Sequence, residues 1–400
     1  MRTALERLVA LDEEKFAGAV WGREPLLSRA ADLGGPDGFA DLLSPAAVDE
    51  LLGSRGLRTP FLRVAQQGTV LPASRFTGGG GAGAEIADQV LDEQVMRLYA
   101  EGATLVLQGL HRLWPPLIAF AGELGARLNR PLQMNAYLTP PASQGFATHY
   151  DTHDVFVLQI DGTKQWRVHP PVLADPLENQ PWGGRADEVA ATAEGEPALD
   201  VVLEPGDALY LPRGWLHSAR ALGGRSLHLT IGVRGLTRYA LAEELLAMAM
   251  AEPELRATLP YGLDVADPDA IAPELAATAA ALAAWLTTAD PAALAERLRR
   301  RSWPAARPAP ISPLAQLDVA AALDPARTIA VRPGLKWQLT PDGELRTPIR
   351  TLRFPLSCVR AVRLALDGEP HRVGDLPLDS DEDRLVLARR LLTEGIAVPA

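Results

Sequence analysis

The 400-residue sequence holds a single cysteine, Cys358, which excludes internal disulfides and any Cys-rich zinc or iron–sulfur site. A bound metal would have to use His, Asp or Glu. Long apolar runs are also missing: the longest stretches are alanine-rich and interrupted by charge or proline, short of the ~20 apolar residues that a membrane span needs. The opening run MRTALERLVALDEEKF places acids where the apolar core of a signal peptide would lie, so the expected location is the cytoplasm. There is no excess of positive charge either. The net charge is −11, and because residues 301–400 carry 14 Lys or Arg against 12 Asp or Glu, the acidic surplus lies in residues 1–300. Nucleic-acid binding rests largely on cations neutralising phosphates, so direct contact with DNA or RNA is not expected and a basic partner is easier to accommodate. No internal repeat is present.

What is present is an ordinary globular composition, 47% hydrophobic and 22% charged, with a mean hydropathy of +0.00 and room for two or three domains. The run IADQVLDEQVMRLYA spaces Ile86, Val90, Val95 and Leu98 like a helix. ATLVLQGL (103–110) reads as a strand, and LWPPLIAFAGELGARL after it as a helix. From Leu132 to Val233 the texture changes to short apolar runs separated by Gly, Pro and Asp, an antiparallel β signature. Asp161-Gly162 between two such runs predicts a hairpin turn. After Gly235, Leu241, Leu245 and Met248, then Ile271, Leu275, Leu282 and Leu286, recur at helical spacing. The Pro-rich stretch SWPAARPAPISP (302–313) reads as a linker to a small α+β module resembling a winged helix. The predicted divisions are 1–235, 236–301 and 302–400.

The densest chemistry is FATHYDTHDVFVLQIDGTKQWRV (146–168). If this segment is a strand, His149 and Asp151 share one face and present an imidazole and a carboxylate to one point. Its companion, LEPGDALYLPRGWLHSA (203–219), delivers His217 with the spacing G-x5-P-x-G-x2-H from Gly206. Two histidines and one carboxylate on one side of an ion, the other positions open, is the donor set of non-haem Fe(II) oxygenases. His153 falls two residues further on; a fourth protein ligand would close a position that oxygen chemistry needs. His228, in SLHLTIGV, is read either as a pocket residue or as a buried hydrogen-bonded histidine. His111, His169 and His371 have no partner pattern. Cys358 is read as a small buried hydrophobe, and the RLRRR cluster (297–301) as cations at a helix C-terminus.

These two segments resemble the JmjC-type, cupin-fold 2-oxoglutarate oxygenases, and within them the ribosomal oxygenase group that hydroxylates side chains of ribosomal proteins. The resemblance extends to Trp21-Gly-Arg-Glu-Pro-Leu-Leu, LRTPFLRVAQQG (57–68), ATLVLQGLHRLWP from Ala103 and NAYLTP from Asn135. It implies a mainly β double-stranded β-helix core over residues 1–235, a helical dimerisation segment over 236–301, and a winged-helix-like domain over 302–400. It further implies Fe(II) held by His149, Asp151 and His217, 2-oxoglutarate and O2 as co-substrates, and Lys164 paired with the distal carboxylate of 2-oxoglutarate. Asn135 and Tyr137 are implied as co-substrate neighbours. The implied product is a hydroxylated Arg or His on a ribosomal protein, made by a homodimer. Three rivals keep part of this reading: a hydroxylase of a peptide natural product or small molecule, a JmjC-like binding protein without activity, and a zinc or manganese cupin isomerase. The last brings an extra histidine and a glutamate in its first motif, where this chain has Asp151.

Overall fold

The computed structural model describes residues 2–66, 68–141, 143 and 146–400; Met1 and Gln67, both within runs quoted above, lie outside the described residues. Two compact units divide the chain, residues 1–235 and 236–400.

The first unit is built on a nine-stranded sheet: β1 (Leu26–Ser28), β2 (Leu62–Gln66), β3 (Thr69–Val70), β4 (Thr104–Leu107), β5 (Leu132–Thr139), β6 (Asp154–His169), β7 (Leu199–Leu203), β8 (Ala208–Leu211) and β9 (Leu216–Val233). The order is β1-β8-β6-β9-β5-β4-β2-β3, with β7 beside β6, and every pairing is antiparallel. Two long strands give the sheet its shape. The first half of β6 (Val155–Leu158) pairs with β8 and its second half (Lys164–Val168) with β7, while β9 runs alongside both halves. The run DVFVLQI is buried through its first six residues, as an inner strand covered on both faces requires.

Asp161-Gly162 is therefore not a hairpin turn. It lies inside the continuous strand β6, at an irregularity where β9 sets four residues, 223–226, against Gly162 alone and β6 leaves Ile160 unpaired next to it. Gly162 has φ +65°, and a Cβ there would lie 2.0 Å from the Arg225 carbonyl oxygen, so glycine is required at the bend for the same positive φ that a hairpin would have needed.

The N-terminal motif closes the far edge. Leu26–Ser28 pairs with β8, the Gly22 N–H donates to the Tyr210 hydroxyl at 2.8 Å, and Trp21 stacks on the Tyr210 ring at 5.6 Å. Helices α1 (Pro45–Ser54), α2 (Asp92–Ala100) and α3 (Pro115–Leu128) cover the first unit's main core. Proline at the first turn of α1 and α3, and Asn129 in the left-handed region at the end of α3, mark their limits. Helix α2 starts later than its apolar spacing suggests, because Val90 belongs to a short strand paired with Thr77–Gly78 and Ile86 precedes that strand.

In the second unit, α4 (Arg238–Ala249), α5 (Pro268–Leu286) and α6 (Pro291–Ser302) precede two small three-stranded sheets with their own apolar core around Ile329, Val362 and Leu391. Arginines of the 297–301 cluster join helices: Arg297 pairs with Glu244 and Arg301 with Glu243, each at 2.8 Å, while Arg299 and Arg300 pair with Glu296. Cys358 is half-buried against the second unit's core. Helix α5 is long and apolar enough to pass a length test for a membrane span, a property the broken apolar runs did not suggest. It contains Asp269, Pro273 and Glu274, and none of it is buried.

Candidate metal centre

His217 opens β9, and His149 lies just before β6. The two form an isolated antiparallel bridge, with the His149 N–H donating to the His217 carbonyl at 3.2 Å and the His217 N–H returning to His149 at 2.8 Å. This bridge fixes the ring centroids 4.5 Å apart. Asp151 follows in an extended segment rather than in the strand itself, and its carbonyl accepts the Gly214 N–H at 3.0 Å. Gly214 has φ +88° and approaches the Leu173 carbonyl so closely that a Cβ would sit 2.7 Å from it, which explains the glycine in the P-x-G-x2-H spacing. One nitrogen from each ring and a carboxylate oxygen of Asp151 all lie within 4.8 Å of one another.

Ring orientation leaves the metal-facing nitrogens free. His149 Nδ1 bonds the Ala147 carbonyl at 2.7 Å and His217 Nδ1 the Trp215 carbonyl at 3.1 Å, so both Nδ1 atoms carry the proton and both Nε2 lone pairs are available. Burial, with His149 beside it, pushes His217 down to about 4, which keeps that imidazole neutral and able to ligate near pH 7. Asp151 Oδ2 stands 3.7 Å from His217 Nε2. Two imidazoles and one carboxylate at this spacing fit a divalent ion of the Fe(II) type. His153 lies outside this cluster, with its ring against Gly232 and Gln133.

A second group of polar side chains is buried on the same sheet. Lys164, 2% exposed, donates to Thr139 Oγ1 at 2.9 Å and lies 3.3 Å from His228 Nδ1. No carboxylate pairs with it among the described residues, and burial alone pushes it down to about 7. His228 stacks flat on Tyr137, centroids 4.8 Å apart and planes 3° from parallel, and meets Trp166 edge-on at 5.4 Å. Trp166 continues to His217 at 6.1 Å, while Phe146 bridges Tyr137 and His149, so aromatic walls join the lysine to the histidine pair. The Trp166 indole N–H is buried with no acceptor among the described residues. A buried cation without a counter-ion and a buried donor without an acceptor are what a carboxylate-bearing ligand would satisfy.

Asn135 and Tyr137 both lie on β5. Asn135 Oδ1 accepts the Gly109 N–H at 3.1 Å, and burial, aided by the Asp151 charge, pushes the Tyr137 hydroxyl up to about 12. Nothing in the sequence pattern marks Thr139 or Trp166 as site residues, and the pattern around His228 fits either a pocket residue or a buried hydrogen-bonded histidine. The signal for His228 was a histidine within an apolar run buried on both faces. Of the remaining histidines, His111 accepts the Met134 N–H and His371 pairs with Asp367.

Residues 124–241 match the JmjC domain family model. The chain carries a JmjC domain. That domain includes all three residues of the cluster and Lys164. Ribosomal oxygenase 1 of Gallus gallus is 36% identical over 219 residues, covering 54% of this chain and 34% of its own. The bifunctional lysine-specific demethylase and histidyl-hydroxylase NO66 of Drosophila persimilis is 29% identical over 253 residues, covering 63% and 34%. The chain thus spans about a third of the length of these curated relatives. Escherichia coli YcfD, a ribosomal oxygenase solved with cobalt and 2-oxoglutarate, covers 98% of this chain and 99% of its own at 17% identity and a TM-score of 0.53. That likeness establishes a shared fold, a large antiparallel sheet with helical and small-sheet additions, within which the JmjC match covers residues 124–241.

Proposed function

We propose that this chain is an Fe(II)- and 2-oxoglutarate-dependent dioxygenase that hydroxylates an Arg or His side chain of a ribosomal protein in the cytoplasm. The observation that carries this reading is the pairing of a His149, Asp151, His217 cluster with a buried lysine that has no acid partner among the described residues, joined by a wall of aromatic rings. His149, Asp151 and His217 would hold the ion, and Lys164 with Thr139 would take the distal carboxylate of 2-oxoglutarate. When bound, ion and co-substrate supply the oxidation: O2 and 2-oxoglutarate are consumed, succinate and CO2 are released, and a C–H bond of the substrate becomes C–OH.

The protein's own groups have simpler tasks. The Ala147 and Trp215 carbonyls hold the two imidazoles in the ligating tautomer. The aromatic walls exclude water from the lysine, which strengthens its attraction to a carboxylate. Asn135 and Tyr137, on the same strand as Thr139, would offer hydrogen bonds to the co-substrate. A substrate on the ribosome is supported by the names of the curated relatives and by the acidic balance of residues 1–300, which favours a basic partner. Comparing intact masses of ribosomal proteins from cells with and without the gene tests this: one protein is expected to be lighter by a single oxygen atom in the deletion strain. No change in any of them would remove the ribosomal substrate.

Lys164 gives the co-substrate affinity a pH dependence. Binding a carboxylate requires the ammonium form, and pairing raises the lysine above its free-protein value of about 7. Affinity for 2-oxoglutarate is therefore expected to be flat below about pH 7 and to weaken by about tenfold per pH unit above it, until the bound-state value is reached. Anaerobic titrations from about pH 6 to about pH 9 check this; a pH-independent constant would contradict it.

Residues 236–301 are proposed as a dimerisation segment and 302–400 as a winged-helix-like domain. Tyr239 and Leu246 on α4 and Met250 just after it are 53%, 55% and 68% exposed, and Leu275 on α5 is 67% exposed, apolar side chains that a second copy would cover.

A further inference from the structure

We infer that His228 is a positioning residue that aims Lys164 at the co-substrate, an inference that rests on the function proposed above. An ammonium carries three N–H donors and no acceptor. One donor of Lys164 goes to Thr139 Oγ1 at 2.9 Å, and His228 Nδ1 at 3.3 Å receives a second, which requires the tautomer with Nδ1 unprotonated. With two donors fixed, the tetrahedral geometry of the nitrogen fixes the direction of the third.

The acceptor is itself held rigidly. His228 is 3% exposed, lies opposite Tyr137 on β5 and Gln159 on β6, stacks flat on the Tyr137 ring and is met edge-on by Trp166. Burial and the neighbouring lysine hold this imidazole well below its ordinary value, so it remains neutral and can accept. A flexible four-carbon lysine stem loses entropy when it binds a carboxylate. Two preset hydrogen bonds remove most of that cost before the ligand arrives.

His228→Phe keeps the stack and removes the acceptor, whereas His228→Asn restores an oxygen near the Nδ1 position. Calorimetric titration of 2-oxoglutarate into the Mn(II)-loaded full chain is expected to give about tenfold weaker binding for His228→Phe and near-native binding for His228→Asn. The turnover number at saturating 2-oxoglutarate is expected to stay within about twofold of wild type, because the histidine acts on co-substrate binding and not on the reacting carbon. If wild type binds 2-oxoglutarate and folded His228→Phe binds it equally well, the inference fails and the proposed function stands. If wild type itself binds none, the proposed function fails first. Nitrogen-15 NMR of the wild-type chain gives a test that needs no variant: a protonated Nδ1 on His228 would overturn the inference.

Discussion

Asp151→Ala is expected to reduce 2-oxoglutarate turnover to background while leaving the protein folded. The Asp151 side chain is 34% exposed and stands 3.7 Å from His217 Nε2, so its removal is expected to leave the packing of the core in place. The stability cost is that of an ordinary surface substitution, within about 0.5 kcal/mol. The chemical cost is large, because the carboxylate is the one anionic donor in a set otherwise made of neutral imidazoles. His217→Ala would be a poorer probe: that side chain is 9% exposed and packs against His149 and Trp166, so a loss of activity could follow from repacking. Succinate formation by the iron-loaded variant, with thermal melting as the folding control, checks the expectation. Normal succinate formation in a folded Asp151→Ala protein would mean that this cluster is not the metal site.

The second large effect has two parts of opposite sign. Lys164→Met is expected to weaken 2-oxoglutarate binding by about a hundredfold or more, since a buried carboxylate left without its cation loses about 3–5 kcal/mol. The same substitution is expected to stabilise the ligand-free protein, by about 1–4 kcal/mol, because an apolar chain of similar length replaces a buried charge that has no counter-ion. Thr139, which loses its lysine partner, still has Thr104 Oγ1 at 3.4 Å, while His228 Nδ1 loses the lysine at 3.3 Å, which offsets part of the gain. A lysine with only a structural role would behave in the opposite way, costing stability when removed and leaving the ligand unaffected. Thermal melting of the ligand-free variant and an anaerobic titration with 2-oxoglutarate together decide between them. An unchanged affinity would take Lys164 out of the site, and a stability that trades against function is the expected mark of a binding group.

The metal cluster was legible in the sequence because its spacing is short-range: His149 and Asp151 are two residues apart, and the glycines before His217 report close backbone approaches at fixed offsets. Lys164 is different. After an Asp-Gly pair it looks like a solvated turn residue, and only the family resemblance pointed it inward; the structure buries it because Asp161-Gly162 lies inside a continuous 16-residue strand and is not a turn. Local φ preference cannot separate the two cases, since both need the same glycine. Thr139 and His228 come from two other strands, and what brings them to Lys164 is the cross-strand register of β5, β6 and β9, which no window of neighbouring residues encodes; Trp166, two residues on in β6, shares the lysine's face by strand alternation. The long helix α5 was legible from its 3.6-residue spacing, but its exposure depends on what covers it, and that is not a property of the segment.

The most direct test is to incubate the purified Fe(II)-loaded chain with 2-oxoglutarate, O2 and unmodified ribosomal proteins and to follow intact masses. The account requires one ribosomal protein to gain a single oxygen atom on an Arg or His, with stoichiometric succinate, and to gain nothing when 2-oxoglutarate is omitted or when Asp151→Ala replaces the wild type. A mass gain that persists without 2-oxoglutarate, or no gain and no succinate from a folded, iron-loaded protein, would contradict it.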